Sequence, residues 1–241
     1  MTTTARDKRF DVPLYSVTDA ARHIGVARST FDTWVQGYQR NPKGRPMVVG
    51  QPVVTALPSA GRGEARIPFI GLAEGFVLAA FKEAGVPLQR IRPALDEIRS
   101  HIGLEHALAS KALYTDGAEV LYDYAERQGD TLEAKSARDL VVLRSNQRVF
   151  NPVVESYLER IDFADDGWAR LLHLPQYGVA DVVVDPTRSF GLPIFASGAA
   201  RVEVVLGRFK NGEDVASLSK EFHIPEKQVL AAIRAHTDAA A

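Results

Sequence analysis

The chain has no cysteine. That absence excludes disulfide staples and thiolate metal sites, and it suits a reducing compartment, so a cytoplasmic location is expected. No apolar run is long enough to cross a bilayer, so no membrane partner is expected. The opening residues MTTTARDKRF lack the apolar stretch of a secretory leader. Net charge is nearly absent at −1, and methionine and tryptophan occur only twice each. What remains is the composition of an ordinary globular protein, 46% hydrophobic and 24% charged, with 241 residues, enough for two or more modest cores.

The small net charge hides an asymmetry. Met1 to Lys111 carries 15 Lys and Arg against 10 Asp and Glu, Ala112 to Ala180 carries 7 against 12, and Asp181 to Ala241 carries 7 against 8. A basic N-terminal part suits contact with phosphates, and an acidic middle does not.

Tyr15 to Tyr38, YSVTDAARHIGVARSTFDTWVQGY, reads as two short helices around a tight turn, a helix-turn-helix. Ser16 caps the first helix, with Asp19 in its first turn. Val17, Ala20, Ala21 and Ile24 recur at helical spacing, and Gly25 ends the helix. Ser29 is expected to cap the second helix, Thr30 to Gln36. Phe31, Trp34 and Val35 supply its buried face, which leaves Arg28, Thr30, Thr33 and Gln36 outward. The bland reading is a purely structural helical hairpin.

Met47–Val49, Val53–Leu57 and Ala65–Ile70 are β-prone runs, with a Gly-rich tip at Ser59–Glu64. Two strands around a basic loop describe a wing, which would bring Arg62 and Arg66 near a phosphate backbone. Gly61-x-Gly63 is followed by neither the lysine nor the helix start of a nucleotide-cradling loop. Further on, helices are expected at Leu72–Ala84 and Leu88–Ile102, the second striped by Ile91, Leu95, Ile98 and Ile102. Asp116-Gly117 between Ala112–Thr115 and Val120–Tyr124 reads as a hairpin, as does Ala164–Gly167 between Val153–Phe163 and Trp168–Leu174. Leu140–Leu143 is a buried-strand candidate. Val182–Val184 and Leu192–Phe195 read as strands. Helices follow at Val202–Phe209, Asp214–Phe222 and Glu226–Ala235, the last opened by Pro225.

The six histidines, His23, His101, His106, His173, His223 and His236, show no zinc-site spacing, and no serine lies in a nucleophile-elbow context. Asp165-Asp166 sits in a turn, where aspartate is common for backbone reasons. No metal, no cofactor and no enzymatic activity are expected.

Two stretches resemble known families. Through Ala20, Ala21, Gly25, Val26, Ser29, Thr30 and Trp34, the segment Tyr15–Trp34 resembles the start of MerR-type regulators, with Asp32 where that family often has arginine. Through Asp185, Pro186, Gly191, Pro193, Gly198, Gly212 and Val215, the segment Val184–Ala235 resembles a small domain of unknown function. Its usual Gly-Thr-Arg hook is replaced by Gly198-Ala199-Ala200, with Arg201 one position late. Proteins with that domain are often antitoxins encoded beside a PIN-domain ribonuclease, and the whole chain is similar to a long VapB-type antitoxin.

The resemblance implies a toxin partner, with Arg188, Arg201 and Arg208 as contacts, and operator DNA bound through Arg28, Ser29, Thr30, Thr33, Gln36, Arg62 and Arg66. A homodimer reading two half-sites of double-stranded DNA is expected. The competing reading is a stand-alone MerR-like regulator whose C-terminal domain senses a ligand or partner; a pure scaffold is a third. The expected fold is α+β. It comprises a winged helix-turn-helix over 10–70, helices and β-hairpins over 71–175, and short strands with a trihelical domain, itself helix-turn-helix-like, over 176–238.

Overall fold

The computed structural model describes residues 7–41, 47–58, 61, 63–103, 105–144 and 147–238. It is a mixed α+β chain that divides into two compact units, Met1–Ala169 and Arg170–Ala241.

The first unit opens with α1 (Val17–His23) and α2 (Arg28–Gln36). Ser16 caps α1 as expected, its hydroxyl oxygen accepting from the Asp19 amide at 3.1 Å. Gly25 turns the chain at a φ of +71°. The cap of α2 differs from the expectation. The helix starts at Arg28 behind Ala27, with no side-chain cap, and Ser29 lies inside its first turn.

β1 (Tyr38–Arg40) and β2 (Val48–Gly50) then form an antiparallel hairpin, with Tyr38 opposite Gly50 and Arg40 opposite Val48. The wing is therefore built from these strands. Val53–Leu57 is not a strand. Ile67 makes an isolated bridge to Tyr15, and Phe69 already belongs to a helix. Apolar runs misled here because Val53, Val54, Ile67 and Ile70 are buried core residues of irregular chain and helix start.

α3 (Phe69–Glu83) begins three residues before the expected Leu72 and is buried on nearly every face. It is the hub of the unit. α4 (Leu88–Ile102) has the expected bounds and buries Ile91, Leu95 and Ile98.

The hairpin expected at Asp116-Gly117 is instead the middle of α5 (Lys111–Gln128). Leu113, Val120, Leu121, Tyr124 and Ala125 form its buried stripe, and helical periodicity overrides the turn dipeptide. Gly117 is there for close packing: a Cβ would lie 2.8 Å from Leu113 Cδ1 and 3.0 Å from Phe150 Cζ.

After α6 (Leu132–Asp139), β3 (Val141–Arg144) pairs antiparallel with β4 (Gln147–Phe150). The strand expected at Leu140–Leu143 exists, but it is not buried: Leu143 is 72% exposed, and only Leu140 enters the core. Val153–Leu158 is likewise no strand. Asn151 accepts from the Val154 amide and starts α7 (Pro152–Leu158), and β5 is only Ile161–Phe163. The Ala164–Gly167 turn forms as expected, the Ala164 amide donating to the Trp168 carbonyl at 2.8 Å.

From Arg170 on, in the second unit, β6 (Ala169–His173), β7 (Val182–Val184) and β8 (Ile194–Phe195) run antiparallel, and Leu171, Val183 and Ile194 pack together. Three helices follow, close to their expected bounds: α8 (Val202–Lys210), α9 (Val215–Phe222) and α10 (Glu226–Asp238). Asp214 caps α9 by accepting from the Ser217 amide. At Gly198 a Cβ would stand 2.3 Å from the Phe222 carbonyl oxygen, so only glycine lets the strand exit pass the α9 corner.

Candidate nucleic-acid interface

The geometry of α2 follows from what it buries. Phe31, Trp34 and Val35 are 0–4% exposed, and the Phe31 and Trp34 rings sit 6.0 Å apart. Phe31 packs over Gly75 of α3, where a Cβ would come within 2.5 Å of its ring. That close approach fixes the helix-turn-helix on the hub. The opposite face carries Arg28, Ser29 and Gln36 in solvent. Gln36 donates to Asp32 at 2.6 Å, and no acid pairs with Arg28 among the described residues.

Thr30 and Thr33 are half-buried. Both line a cavity of about 250 Å³ against Trp34, Tyr38, Phe81 and Pro87, and the Thr33 hydroxyl donates to the Ser29 carbonyl at 2.8 Å. The exposed edge of α2 is thus narrower than the sequence suggests.

The wing follows α2 directly and is fastened from behind. Trp34 accepts, through its carbonyl, from the amides of Val53 (2.8 Å) and Val54 (3.1 Å). Two arginines of α4 reach the same segment. Arg92 donates to the Gln51 carbonyl and lies over the Tyr38 ring at 5.3 Å, and Arg99 donates to the Val53 carbonyl at 3.0 Å. Sequence reasoning missed both, because an arginine on the polar face of an amphipathic helix carries no local signal of what it grips.

A buried polar cluster completes the fastening. Glu74 of α3, 2% exposed, accepts from the Thr55 amide (2.6 Å) and the Thr55 hydroxyl (3.1 Å), and it meets His106 Nδ1 at 3.1 Å. Burial opposes charge on His106, but the hydrogen bond and charge of Glu74 outweigh it, so its pKa is raised. Thr55 and Glu74 share the same imidazole nitrogen, so the three cannot relay a proton as a nucleophilic triad does. Among the described residues no cluster of His, Asp and Glu is arranged to hold a metal ion.

Arg66 lies on the segment beside Tyr15, not on a wing arm. Its amide donates to the Tyr15 carbonyl at 2.9 Å, and its Nε is buried. Arg62 lies outside the described residues. Asp166 is structural: it pairs with Arg9 at 2.5 Å and accepts from the Trp168 amide.

In the second unit the three candidate arginines differ. Arg208 is clamped between Glu213 and Glu221 and lies over the Phe222 ring. Arg201 precedes α8 and stands 3.7 Å from Glu203. Arg188 is half-buried, and no acid pairs with it among the described residues.

Residues 13–95 match a family described as "Putative DNA-binding HTH domain". That span takes in α1, α2, the wing and α3, and runs into α4. A Mycobacterium tuberculosis protein named "Putative antitoxin VapB45" is 47% identical over 94% of this chain and 95% of its own length. "Uncharacterized protein Rv2308" of the same organism is 24% identical over 92% of this chain and 90% of its own. The crystal structure of Rv2018 from M. tuberculosis superposes with a TM-score of 0.83 at 44% identity, covering 93% of this chain and 99% of that one. No helix among the described residues is long and apolar enough to cross a membrane. With near-half identity along almost its whole length, and a helix-turn-helix DNA-binding domain at its N-terminal end, the chain belongs to the VapB45 antitoxin family.

Proposed function

We propose that this protein is an antitoxin that binds and neutralises a PIN-domain ribonuclease and represses its own operon. The observation that carries this reading is the likeness to VapB45 over almost the whole of both chains, joined to a second helix, α2, whose exposed Arg28 pairs with no acid among the described residues. α2 enters the major groove. Arg28, Ser29 and Gln36 meet base edges and phosphates, and Thr30 and Thr33 border the contact. The wing lies along the adjoining backbone, and Arg66 adds positive charge from the segment beside Tyr15, which positions the protein without reading sequence. A single module of this size binds weakly, so the chain acts as a homodimer on paired half-sites. The protein works by occupancy, without a reaction of its own.

The test has two parts. Co-expression with the product of the adjacent reading frame should yield a complex on size exclusion with suppressed ribonuclease activity. A duplex from upstream of the gene should be retarded by the complex. Retardation without a complex would move the assignment to a stand-alone regulator.

A further inference from the structure

The second unit displays its most exposed aromatic on strained backbone. Between β7 and β8 the chain passes through Ser189, Phe190 and Gly191 with φ of +46°, +56° and +72°. Glycine adopts this region freely, but serine and phenylalanine do so only at an energetic penalty. Phe190 is also 77% exposed, the most exposed large apolar side chain among the described residues. Its ring therefore contributes little burial that would offset the strain.

The loop is nonetheless held rigidly. Asp185 Oδ1 accepts from the Thr187 amide (2.8 Å) and hydroxyl (2.6 Å), and the Gly191 amide donates to the Arg188 carbonyl at 2.9 Å. Both flanking strands end in fully buried residues, Val184 and Ile194. Strain that persists because its surroundings enforce it points to function. An aromatic and an arginine held ready on a stiff loop are the ingredients of an interface anchor.

We propose that this loop is the docking tip for a protein partner, with Phe190 entering an apolar pocket and Arg188 meeting carboxylates at its rim. The charge argument selects the partner. Arg201 and Arg208 are already paired within the unit, while Arg188 has no acid among the described residues. Asp181 to Ala241 carries 7 basic against 8 acidic residues, without the basic excess a nucleic-acid surface needs. Resting on the proposed function, the partner is the ribonuclease toxin.

The test uses the purified product of the adjacent reading frame as probe and titrates it against the full chain, Phe190→Gly and Arg188→Glu. Phe190→Gly removes the ring while easing the backbone, so its melting temperature should hold or rise. Both variants should bind at least tenfold more weakly, with secondary structure unchanged. If both bind as tightly as the parent, the docking tip is wrong and the antitoxin reading stands. If the parent itself forms no complex, the antitoxin reading fails and takes this assignment with it. If Phe190→Gly alters self-association and leaves toxin affinity intact, the loop is a contact between copies of this chain and the proposal is overturned.

Discussion

The guanidinium of Arg92 on α4 lies 5.3 Å from the centre of the Tyr38 ring on the first wing strand. A helix far along the chain thus sets where the wing stands relative to α2. Arg92 also donates to the Gln51 carbonyl, just beyond the second strand. The wing's aim is therefore a property of α3 and α4, and the matched family span, residues 13–95, takes in Arg92.

Arg92→Ala should loosen the wing and leave the hub folded. A stacked cation on an aromatic ring contributes about 0.5–1 kcal/mol, and a hydrogen bond from a charged donor somewhat more. We expect a stability loss of about 1–2 kcal/mol and a drop in duplex affinity of roughly tenfold. Fluorescence anisotropy on the upstream duplex measures the second. Arg92→Lys, which keeps the charge but loses the planar stacking, should recover only part. Affinity equal to the parent in Arg92→Ala would separate the wing from DNA contact.

Arg28→Ala and Gln36→Ala test the exposed edge of α2. Neither side chain supports the core, so thermal unfolding should shift little. Removing Arg28 should lower the slope of log affinity against log salt by about one, the signature of a lost phosphate contact. An unchanged slope would place Arg28 away from the backbone.

Gly75→Ala tests how the helix-turn-helix is seated. The new Cβ would meet the Phe31 ring at 2.5 Å and Ile24 Cδ1 at 3.2 Å. Overpacking of this kind costs typically about 1–3 kcal/mol. Chemical denaturation should show that loss, and DNA affinity should fall with it as α2 is displaced. A variant as stable as the parent would mean that the contact between α2 and α3 yields freely.

Two histidines give opposite pH signatures. Burial, aided by the neighbouring Arg22 charge, depresses His23 to about 4 from an ordinary 6.5, against the opposing pull of Asp19. Its contribution to stability is full above pH 6.5 and is lost as pH falls toward 4, on the order of 3 kcal/mol over that window. His106 is raised by Glu74, so its contribution is full below pH 6.5 and is lost as pH climbs through its folded value. Unfolding of the parent and of His23→Phe at pH 7 and pH 5 checks the first. The parent should lose more stability on acidification than the variant, and equal losses would contradict the burial of a neutral His23.

The elements that could be read from sequence are those whose signals are local. α4 announces itself by Ile91, Leu95 and Ile98 behind the Gly85-Val86-Pro87 break, and α1 by the Ser16 cap and Gly25. α5 could not be read this way, because Asp116-Gly117 looks like a turn until Phe150 is known to pack on Gly117. The wing was misplaced for a similar reason. Tyr38–Arg40 is a mostly polar strand that pairs with Val48–Gly50, and nothing in its own three residues signals that partner. At the candidate site, exposed Arg28 and Gln36 follow from helical spacing, whereas Arg92, Arg99 and the Glu74–His106 cluster exist only as contacts between distant segments.

The most direct test of the account is ribonuclease activity measured on the co-purified complex of this chain with the product of the adjacent reading frame. The account predicts a stable complex with cleavage suppressed, and cleavage restored when the chain is stripped away. A neighbour that cleaves RNA equally well with and without this chain would contradict it.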